Sequence, residues 1–569
     1  MYNEAVMSST NPKFIFVVGG VMSGVGKGVA SSSIAKILQS RGIEVTSLKI
    51  DPYVNVDAGT MNPTEHGEVF VLDDGTECDQ DMGNYERFLD RDLTRTNYMT
   101  TGSVYLSVIN RERSMGYGGK FVSVVPYIPM EVIDRIRKAA ELANAKIAIT
   151  EIGGTAGEYE NILFLEAVRM LKIKFPRDVV LILVSHLPIM NDDNELKTKP
   201  TQHAVRALNS AGLQPDFILA RAKYSIDEKR KEKIAFHCNM NEEDVISAPD
   251  VNDIYDVPIN FEKDNLGNLI LKKLGMRPPK KDLLEWRALV SKMDAAAKPV
   301  HIGIVGKYFS SGKFVLADSY LSVIEAVRHA AAHWDLKPEI HWIDSESFEP
   351  QGKGAQAAAV AKDNLKELDL YDGIIVPGGF GARGVEGKLA AIRYCRERKI
   401  PYLGLCYGMQ LAVVETARNV LGWKDANTTE IDPNTKHPVI DILPEQKKLM
   451  AEKKYGATMR LGAYPAVLKK GTIAQKAYGA TQISERHRHR FEVNPVFVKR
   501  LERAGVVWSG QSPSRRLMEV MELPKSVHPF FAGAQFHPEL KSRPMRPNPL
   551  FREFIKVASE RRGAAKKEK

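Results

Sequence analysis

The sequence predicts an α/β protein with two doubly wound domains. The first is an N-terminal parallel-sheet domain carrying a phosphate-binding loop, and the second is a C-terminal domain built around a thiol. Three observations carry this. Strand-like apolar runs alternate with helical patterns through the first half, the mark of a parallel sheet covered by helices. The first strand runs into a glycine-rich loop. A proline-containing basic break near residue 275 is followed by a second series of the same kind.

Taken in order, Phe14-Ile15-Phe16-Val17-Val18 reads as a buried strand and Ala30 to Gln39 as the helix after it. Val45 to Ile50, Lys146 to Thr150, Val179 to Val184 and Asp216 to Ala220 read as further strands. Gly275-Met276-Arg277-Pro278-Pro279-Lys280-Lys281 makes a poor core and a good connector, and a linker helix is expected over Asp282 to Ala297. The second series starts at Val300 to Val305 and continues with Gly373 to Val376, Tyr402 to Leu405 and Phe531 to Gln535. The expected division is 1–275, a linker 276–299, 300–558, and a basic tail 559–569 read as a solvated, frayed end.

The 569 residues are 44% hydrophobic and 26% charged, enough for two sizeable cores. Four cysteines exclude a disulfide scaffold and fit a reducing compartment. No apolar run reaches the ~18 residues of a membrane span, and Met1 to Lys13 shows no apolar signal core. A soluble, cytoplasmic protein without a membrane partner is expected. The net charge of +10 includes +3 from Ser559 to Lys569. No stripe of bases interleaved with aromatics marks a nucleic-acid surface. A modest basic excess suits an enzyme that binds polyanionic nucleotides.

The loop Gly19-Gly20-Val21-Met22-Ser23-Gly24-Val25-Gly26-Lys27-Gly28 would cradle phosphates. Its glycines let backbone N–H groups approach, the next helix adds its N-terminus, and Lys27 neutralises charge. It departs from G-x-x-x-x-G-K-[ST]. Val21 stands where the first glycine should be, and Gly28 where a hydroxyl should hold Mg²⁺. The plain alternative is a glycine-rich turn with a solvated lysine. Magnesium would need carboxylates from elsewhere. Asp81, in Glu77-Cys78-Asp79-Gln80-Asp81, and Glu151, read as ending a strand, are the candidates, although the acidic stretch by itself reads as a solvated loop. Lys49 would bring a second cation to the same crevice. Lys197-Thr198-Lys199-Pro200-Thr201-Gln202, at a predicted helix start, can hold an anion.

In the second half, Tyr402 to Leu405, Cys406 and Tyr407-Gly408-Met409-Gln410 form a strand, a thiol and a helix start bracketed by glycines. That is nucleophile-elbow logic, and a helix N-terminus favours a thiolate. Cys78, Cys238 and Cys395 lie among polar residues and read as structural or incidental. A nucleophile needs a base, and the base an orienter. Gln535-Phe536-His537-Pro538-Glu539 supplies both, with His537 and Glu539 two apart on one side of an extended chain. The amide of Tyr407 and a strand end at Val376-Pro377-Gly378-Gly379-Phe380-Gly381 offer oxyanion donors.

In this combination the chain resembles the CTP synthase family, glutamine-dependent enzymes that make CTP from UTP. Cys406, His537 and Glu539 match the triad of a class I glutaminase domain, and the first half is similar to the family's synthetase domain. Supporting runs are Lys49-Ile50-Asp51-Pro52-Tyr53, His66-Gly67-Glu68-Val69-Phe70, Tyr85-Glu86-Arg87-Phe88, Lys197 to Gln202, Met459-Arg460-Leu461-Gly462 and Glu485-Arg486-His487-Arg488-His489-Arg490.

The resemblance implies that Gly24, Val25, Gly26, Lys27, Gly28 and Val29 hold ATP, with Asp250 and Val251 beside the adenine. It implies Ser23, Lys197 to Gln202 and Lys233 at UTP or CTP, and Glu158, Tyr159 and Glu160 in contact with CTP. Asp81 and Glu151 would bind Mg²⁺, while Lys27 and Lys49 would serve phosphoryl transfer. Gly379, Tyr407, Gly408, Met409, Gln410, Glu430 and Arg490 would hold L-glutamine. It further implies GTP as an activator, CTP as an inhibitor, a homodimer that pairs into a homotetramer, and an ammonia path near His66 and Val69. The chain departs from the family's usual pattern at Ser123, Tyr127, Gly157-Glu158-Tyr159-Glu160 and Tyr407, most of which bear on product recognition. A cobyric-acid-type amidotransferase would share the glutaminase, but not the runs at Asp51-Pro52-Tyr53 and Lys197 to Gln202. A DNA-binding partition-type ATPase would leave the triad unexplained, and an assembly protein with decayed sites would not keep these positions intact.

Overall fold

In a computed structural model the apolar run at the start of the chain forms the strand Lys13–Gly19, with Ile15 and Val17 fully buried. The structure describes residues 12–20, 22–61, 67–190, 195–279, 283–307, 310–311, 314–315, 317–352, 354–442 and 459–565. Its contacts divide the chain into two units, Met1–Thr60 with Asp81–Val290, and Met61–Gln80 with Ser291–Lys569.

The first unit holds a seven-stranded sheet in the order Tyr98–Thr100, Val45–Asp51, Ile147–Thr155, Lys13–Gly19, Val179–His186, Phe217–Ala222, Val245–Pro249. Every pairing is parallel. Helix Lys27–Ser40 follows the first strand and buries Ile34, Ile37 and Leu38. One expected strand runs on: Lys146 to Thr150 becomes Ile147–Thr155, so Glu151 lies inside it. Gly153 within it permits close approach, since a Cβ there would lie 2.9 Å from Ile50 O.

The linker helix forms as Leu284–Ala295; Lys280 to Asp282 lie outside the described residues. It is packed in place. The Trp286 ring lies 5.2 Å from Phe88, and its indole N–H donates to Tyr255 O at 2.8 Å.

The second unit holds a nine-stranded sheet: Leu336–Asp344, Lys298–Gly306, Gly373–Val376, Tyr402–Leu405, Phe531–Ala534, Met518–Glu522, Val507–Gln511, Arg460–Leu468, Gln482–His489. The first five strands are parallel. The last four pair antiparallel, an extension that the alternating βα pattern did not contain.

The acidic stretch is not a solvated loop. Glu77–Cys78 is a buried strand paired antiparallel with Phe70–Val71, and Asp81 opens the helix Asp81–Leu89. The hairpin belongs to the second unit, where Arg488 pairs with Glu77 at 2.8 Å and Lys541 with Asp73 at 3.0 Å. Cys78, Cys238 and Cys395 are buried despite their polar sequence neighbours. Burial pushes the Cys238 thiol up to about 11 and raises Cys395 as well. The tail is not frayed from its start, because helix Pro549–Ala565 runs into it. No helix among the described residues is long and apolar enough to cross a membrane.

Candidate active sites

Gly24 and Gly26 sit at φ 72° and 84°, where a side chain would be strained, and Gly26 caps the helix that opens with Lys27. Lys27 is buried, and its Nζ donates to Gly154 O at 2.6 Å. Burial lowers its pKa against the pull of Glu151. Lys49 lies opposite Glu151 on the neighbouring parallel strand. Its Nζ donates to Asp81 Oδ2 at 2.6 Å and Glu151 Oε1 at 2.7 Å, and stands 3.7 Å from Asp51 Oδ1. Tyr85 donates its hydroxyl to the other Glu151 oxygen. Burial raises the pKa of both Glu151 and Asp51, and Lys49 opposes it in each case.

The missing hydroxyl at Gly28 has a structural counterpart. A Cβ at Gly28 would fall 2.0 Å from Asp81 Oδ1. The absent side chain is the space that the Asp81 carboxylate occupies.

Around this cluster, Arg221 donates to Val25 O at 3.3 Å and pairs with Asp250 at 3.3 Å, tying Asp250 to the loop. Thr201 and Ser185 hydroxyls are 2.9 Å apart, and a Cβ on Gly20 would lie 2.9 Å from Ser185 Oγ. The helix Lys199–Ser210 therefore starts beside the loop, with Gln202 Nε2 donating to Thr198 Oγ1 at 3.1 Å. Glu158 accepts from Thr155 N at 2.8 Å, while Tyr159 and Glu160 are exposed.

In the second unit Cys406 adopts φ 48°, ψ −98° between strand Tyr402–Leu405 and helix Tyr407–Asn419. Strain of this kind persists only where the surroundings enforce it. A Cβ on Gly408 would sit 2.1 Å from Val376 O, which explains that glycine. Cys406 N donates to Ala534 O at 2.7 Å, and the Gln535 amide reaches Sγ at 3.8 Å.

His537 Nδ1 lies 2.7 Å from Glu539 Oε1. The pair is joined by the 3-10 turn Pro538–Lys541 and not by strand alternation. Burial alone would lower His537, but Glu539 and Cys406 override it and hold its pKa well above the usual value. Gly378 packs on the imidazole, since a Cβ there would lie 2.8 Å from Cε1.

Tyr407 donates to Gly381 O at 2.9 Å, and Gly381 N donates to Glu430 Oε1 at 2.7 Å. Burial raises Glu430, with Lys307 and Arg490 among the groups opposing it. Gln410 Nε2 donates to Phe491 O at 2.9 Å. Lys388 is fully buried and its Nζ has no hydrogen-bond partner. It lies 5.5 Å from the Tyr407 ring centre, and burial, then Lys307, brings it down to about 7.

Residues 13–276 match the family described as CTP synthase N-terminus, and residues 315–557 match glutamine amidotransferase class-I. The CTP synthase of Thermococcus gammatolerans is 50% identical over 97% of this chain and 99% of its own length. That of Methanocaldococcus jannaschii is 49% identical over 96% and 98%. This chain belongs to the CTP synthase family. It catalyses the glutamine-dependent conversion of UTP to CTP. The solved glutaminase domain of Trypanosoma brucei CTPS with bound acivicin is 38% identical, spans 46% of this chain and 94% of that one, and has a TM-score of 0.41.

For a CTP synthase, the sequence-derived residues fall into two clusters. Gly26, Lys27, Gly28, Lys49, Asp81 and Glu151 converge in one unit, and Cys406, His537 and Glu539 in the other. Ser23 and Gly24 form an exposed turn at the loop's tip, with Val25 buried beneath. Lys233 is exposed on helix Glu228–Cys238, and no described contact ties it to Lys197 to Gln202. His66 and Val21 lie outside the described residues. Sequence reasoning gave no role of their own to Tyr85 and Gln535, which it quoted only within longer runs, and did not single out Arg221 or Lys388. Arg221 carried a usable signal, as a charge near the end of an otherwise apolar strand. Lys388 carried none, because a lysine in a helix reads as solvated.

Proposed function

We propose that the first unit phosphorylates UTP with ATP and the second releases ammonia from L-glutamine. On this reading 1–275 is the synthetase domain, 276–299 the linker, 300–558 the glutamine amidotransferase domain and 559–569 the tail. The observation that carries it is Lys49 held between two carboxylates, Asp81 and Glu151, with Lys27 at the head of the adjoining helix.

The carboxylates suit Mg²⁺. Both reach one cation at 2.6 and 2.7 Å, so they converge on a single point, and two carboxylates with phosphate and water are an ordinary magnesium donor set. Asp81 and Glu151 would hold the ion, which would supply charge neutralisation at the transferring phosphoryl group. Lys27 and Lys49 spread the same charge. Binding a metal nucleotide here means exchanging the internal pairs of Lys49 for new ones. Transfer of the γ-phosphoryl to O4 of UTP turns a poor leaving group into phosphate, and ammonia then displaces it at C4.

In the second unit Cys406 Sγ attacks the glutamine amide carbon. The amides of Tyr407 and Gly379 receive the oxyanion, and His537, oriented by Glu539, protonates the departing ammonia. Water then clears the thioester and releases glutamate. Gln410, Glu430 and Arg490 hold the amino-acid end of glutamine. Lys197 to Gln202, Ser23 and Lys233 take the UTP or CTP triphosphate, and Asp250 and Val251 the adenine side of ATP. Likeness to the family supports GTP as activator, CTP as feedback inhibitor, assembly of dimers into a tetramer and a cytoplasmic setting.

The test uses UTP labelled with ¹⁸O at O4, with ATP and ammonium chloride. Recovery of the label in inorganic phosphate is expected. Unlabelled phosphate from an enzyme that forms CTP would overturn the phosphorylated intermediate.

A further inference from the structure

The strand Leu336–Asp344 forms an edge of the nine-stranded sheet and pairs with Lys298–Gly306, His301 opposite Glu339 and Gly303 opposite His341. Glu339 and His341 are two apart, so they project from one face, and His301 joins them there. His301 Nδ1 lies 3.3 Å from His341 Nε2 and 3.1 Å from Glu339 Oε2. The three ligand atoms lie within 4.8 Å of one another. None belongs to either reaction site.

A neutral imidazole nitrogen carries either one proton or one lone pair. At His301 Nδ1 a single proton can serve His341 or Glu339, not both, and a bare lone pair can accept from His341 Nε2–H but leaves the Glu339 carboxylate without a donor there. A cation at the centre engages all three lone pairs together. Donors bound tetrahedrally at 2.0–2.1 Å stand about 3.3 Å apart, close to the 3.3 Å from His301 to His341 and the 3.1 Å to Glu339. Two imidazoles and one carboxylate favour a borderline transition metal over Mg²⁺ or Ca²⁺, which take oxygen ligands.

We propose that His301, Glu339 and His341 form a binding site for Zn²⁺ or a divalent ion of similar preference, with water completing the shell. The ion would clip the edge strand to its neighbour.

The experiment uses the full chain bearing Cys406→Ala, so that the thiol does not compete. After treatment with EDTA and desalting, the protein is titrated with zinc chloride by calorimetry. In parallel it is titrated with cobalt(II) and followed by the visible bands of tetrahedral Co²⁺. The result expected is one tight equivalent and tetrahedral bands. His341→Gln should weaken that equivalent at least tenfold and remove the bands. At a zinc concentration a hundredfold above Kd the melting temperature should rise by at least about 3 °C, in the parent only. Glu339→Gln, at a side chain 42% exposed, repeats the test with the least risk to folding. Ammonia-dependent CTP formation confirms that each variant is folded. Equal zinc affinity in the parent and in both folded variants, or no tight equivalent in the parent, would overturn the site.

Discussion

At the thiol site, on the proposed reading, the chain itself supplies the nucleophile, the base and its orienter and holds them in place before substrate arrives. Cys406 is locked at a positive φ, and His537 is already charge-paired with Glu539. At the proposed phosphate site the groups come from distant segments and are already partnered: Lys49 with the Asp81 and Glu151 carboxylates, Lys27 with the backbone carbonyl of Gly154. The first arrangement suits covalent catalysis, where the nucleophile must be placed before substrate arrives. The second suits phosphoryl transfer, where most of the charge arrives with the nucleotide. Damage to the first should be all-or-none and confined to one nitrogen source. Damage to the second should be graded and should affect both.

The largest effect is expected from Cys406→Ala. Glutamine-dependent CTP formation should fall by on the order of 10⁴ or more, with ammonia-dependent formation unchanged. Loss of both in a folded protein would erase the contrast. Lys27→Ala should lower CTP formation from both sources by roughly 10²–10³ and leave the basal glutaminase rate alone. Near-normal turnover with ammonia would remove Lys27 from the ATP site.

Gly28→Ala probes the fit between Gly28 and Asp81. A Cβ placed 2.0 Å from Asp81 Oδ1 must displace that carboxylate. A loss of about 10- to 100-fold from both sources is expected, with a raised Mg²⁺ requirement. An unaltered Mg²⁺ dependence would take Asp81 out of metal binding.

Glu160→Ala should weaken CTP inhibition while the UTP KM barely moves. Deleting a charge-assisted hydrogen bond loses about 1.5–3 kcal/mol, roughly 10- to 150-fold. Glu160 is exposed at the turn Tyr159–Asn161, so its loss should not disturb the core. Inhibition constants that track the UTP KM would discard the role.

The smallest effect is a pH dependence of stability. Lys388 is brought down to about 7 by burial. Below that pH both the folded and the unfolded chain carry the proton, and the full cost of burying the charge is present. From about 7 to the unfolded value of 10.5 the unfolded chain binds more protons, so stability rises with pH by up to about 1.4 kcal/mol per unit. Lys388→Met should therefore stabilise the protein most at pH 6 and progressively less by pH 9, as read from denaturant midpoints. A constant difference would mean that Lys388 keeps its proton throughout.

Much of this was legible because local chemistry leaves local marks. The glycine-lysine loop, the bracketed Cys406 and the His537-Pro538-Glu539 run each need particular residue types at fixed spacing. The strands Gly373–Val376 and Tyr402–Leu405 are bounded as their apolar runs suggested. What was misread shares one cause. Glu151 looks like a strand end, but the strand continues through Gly153 to Thr155, where Gly153 admits the neighbouring backbone of Ile50. The acids from Glu77 to Asp81 look solvated, but Glu77 meets Arg488 within the second unit, and Asp81 meets Lys49 within the first.

The sequence by itself determined the two α/β units, the bracketed Cys406 between a strand and a helix, the nearness of His537 to Glu539, and a glycine-lysine loop with Gly28 in place of a hydroxyl, because each is written in consecutive residues. Only the tertiary structure decided that Asp81 fills the space left at Gly28, that Lys388 is buried without a hydrogen-bond partner over the Tyr407 ring, and that His301 meets Glu339 and His341. Each of those depends on strand register or on contacts between residues far apart in the chain, and a linear pattern does not encode which distant side chains will face one another.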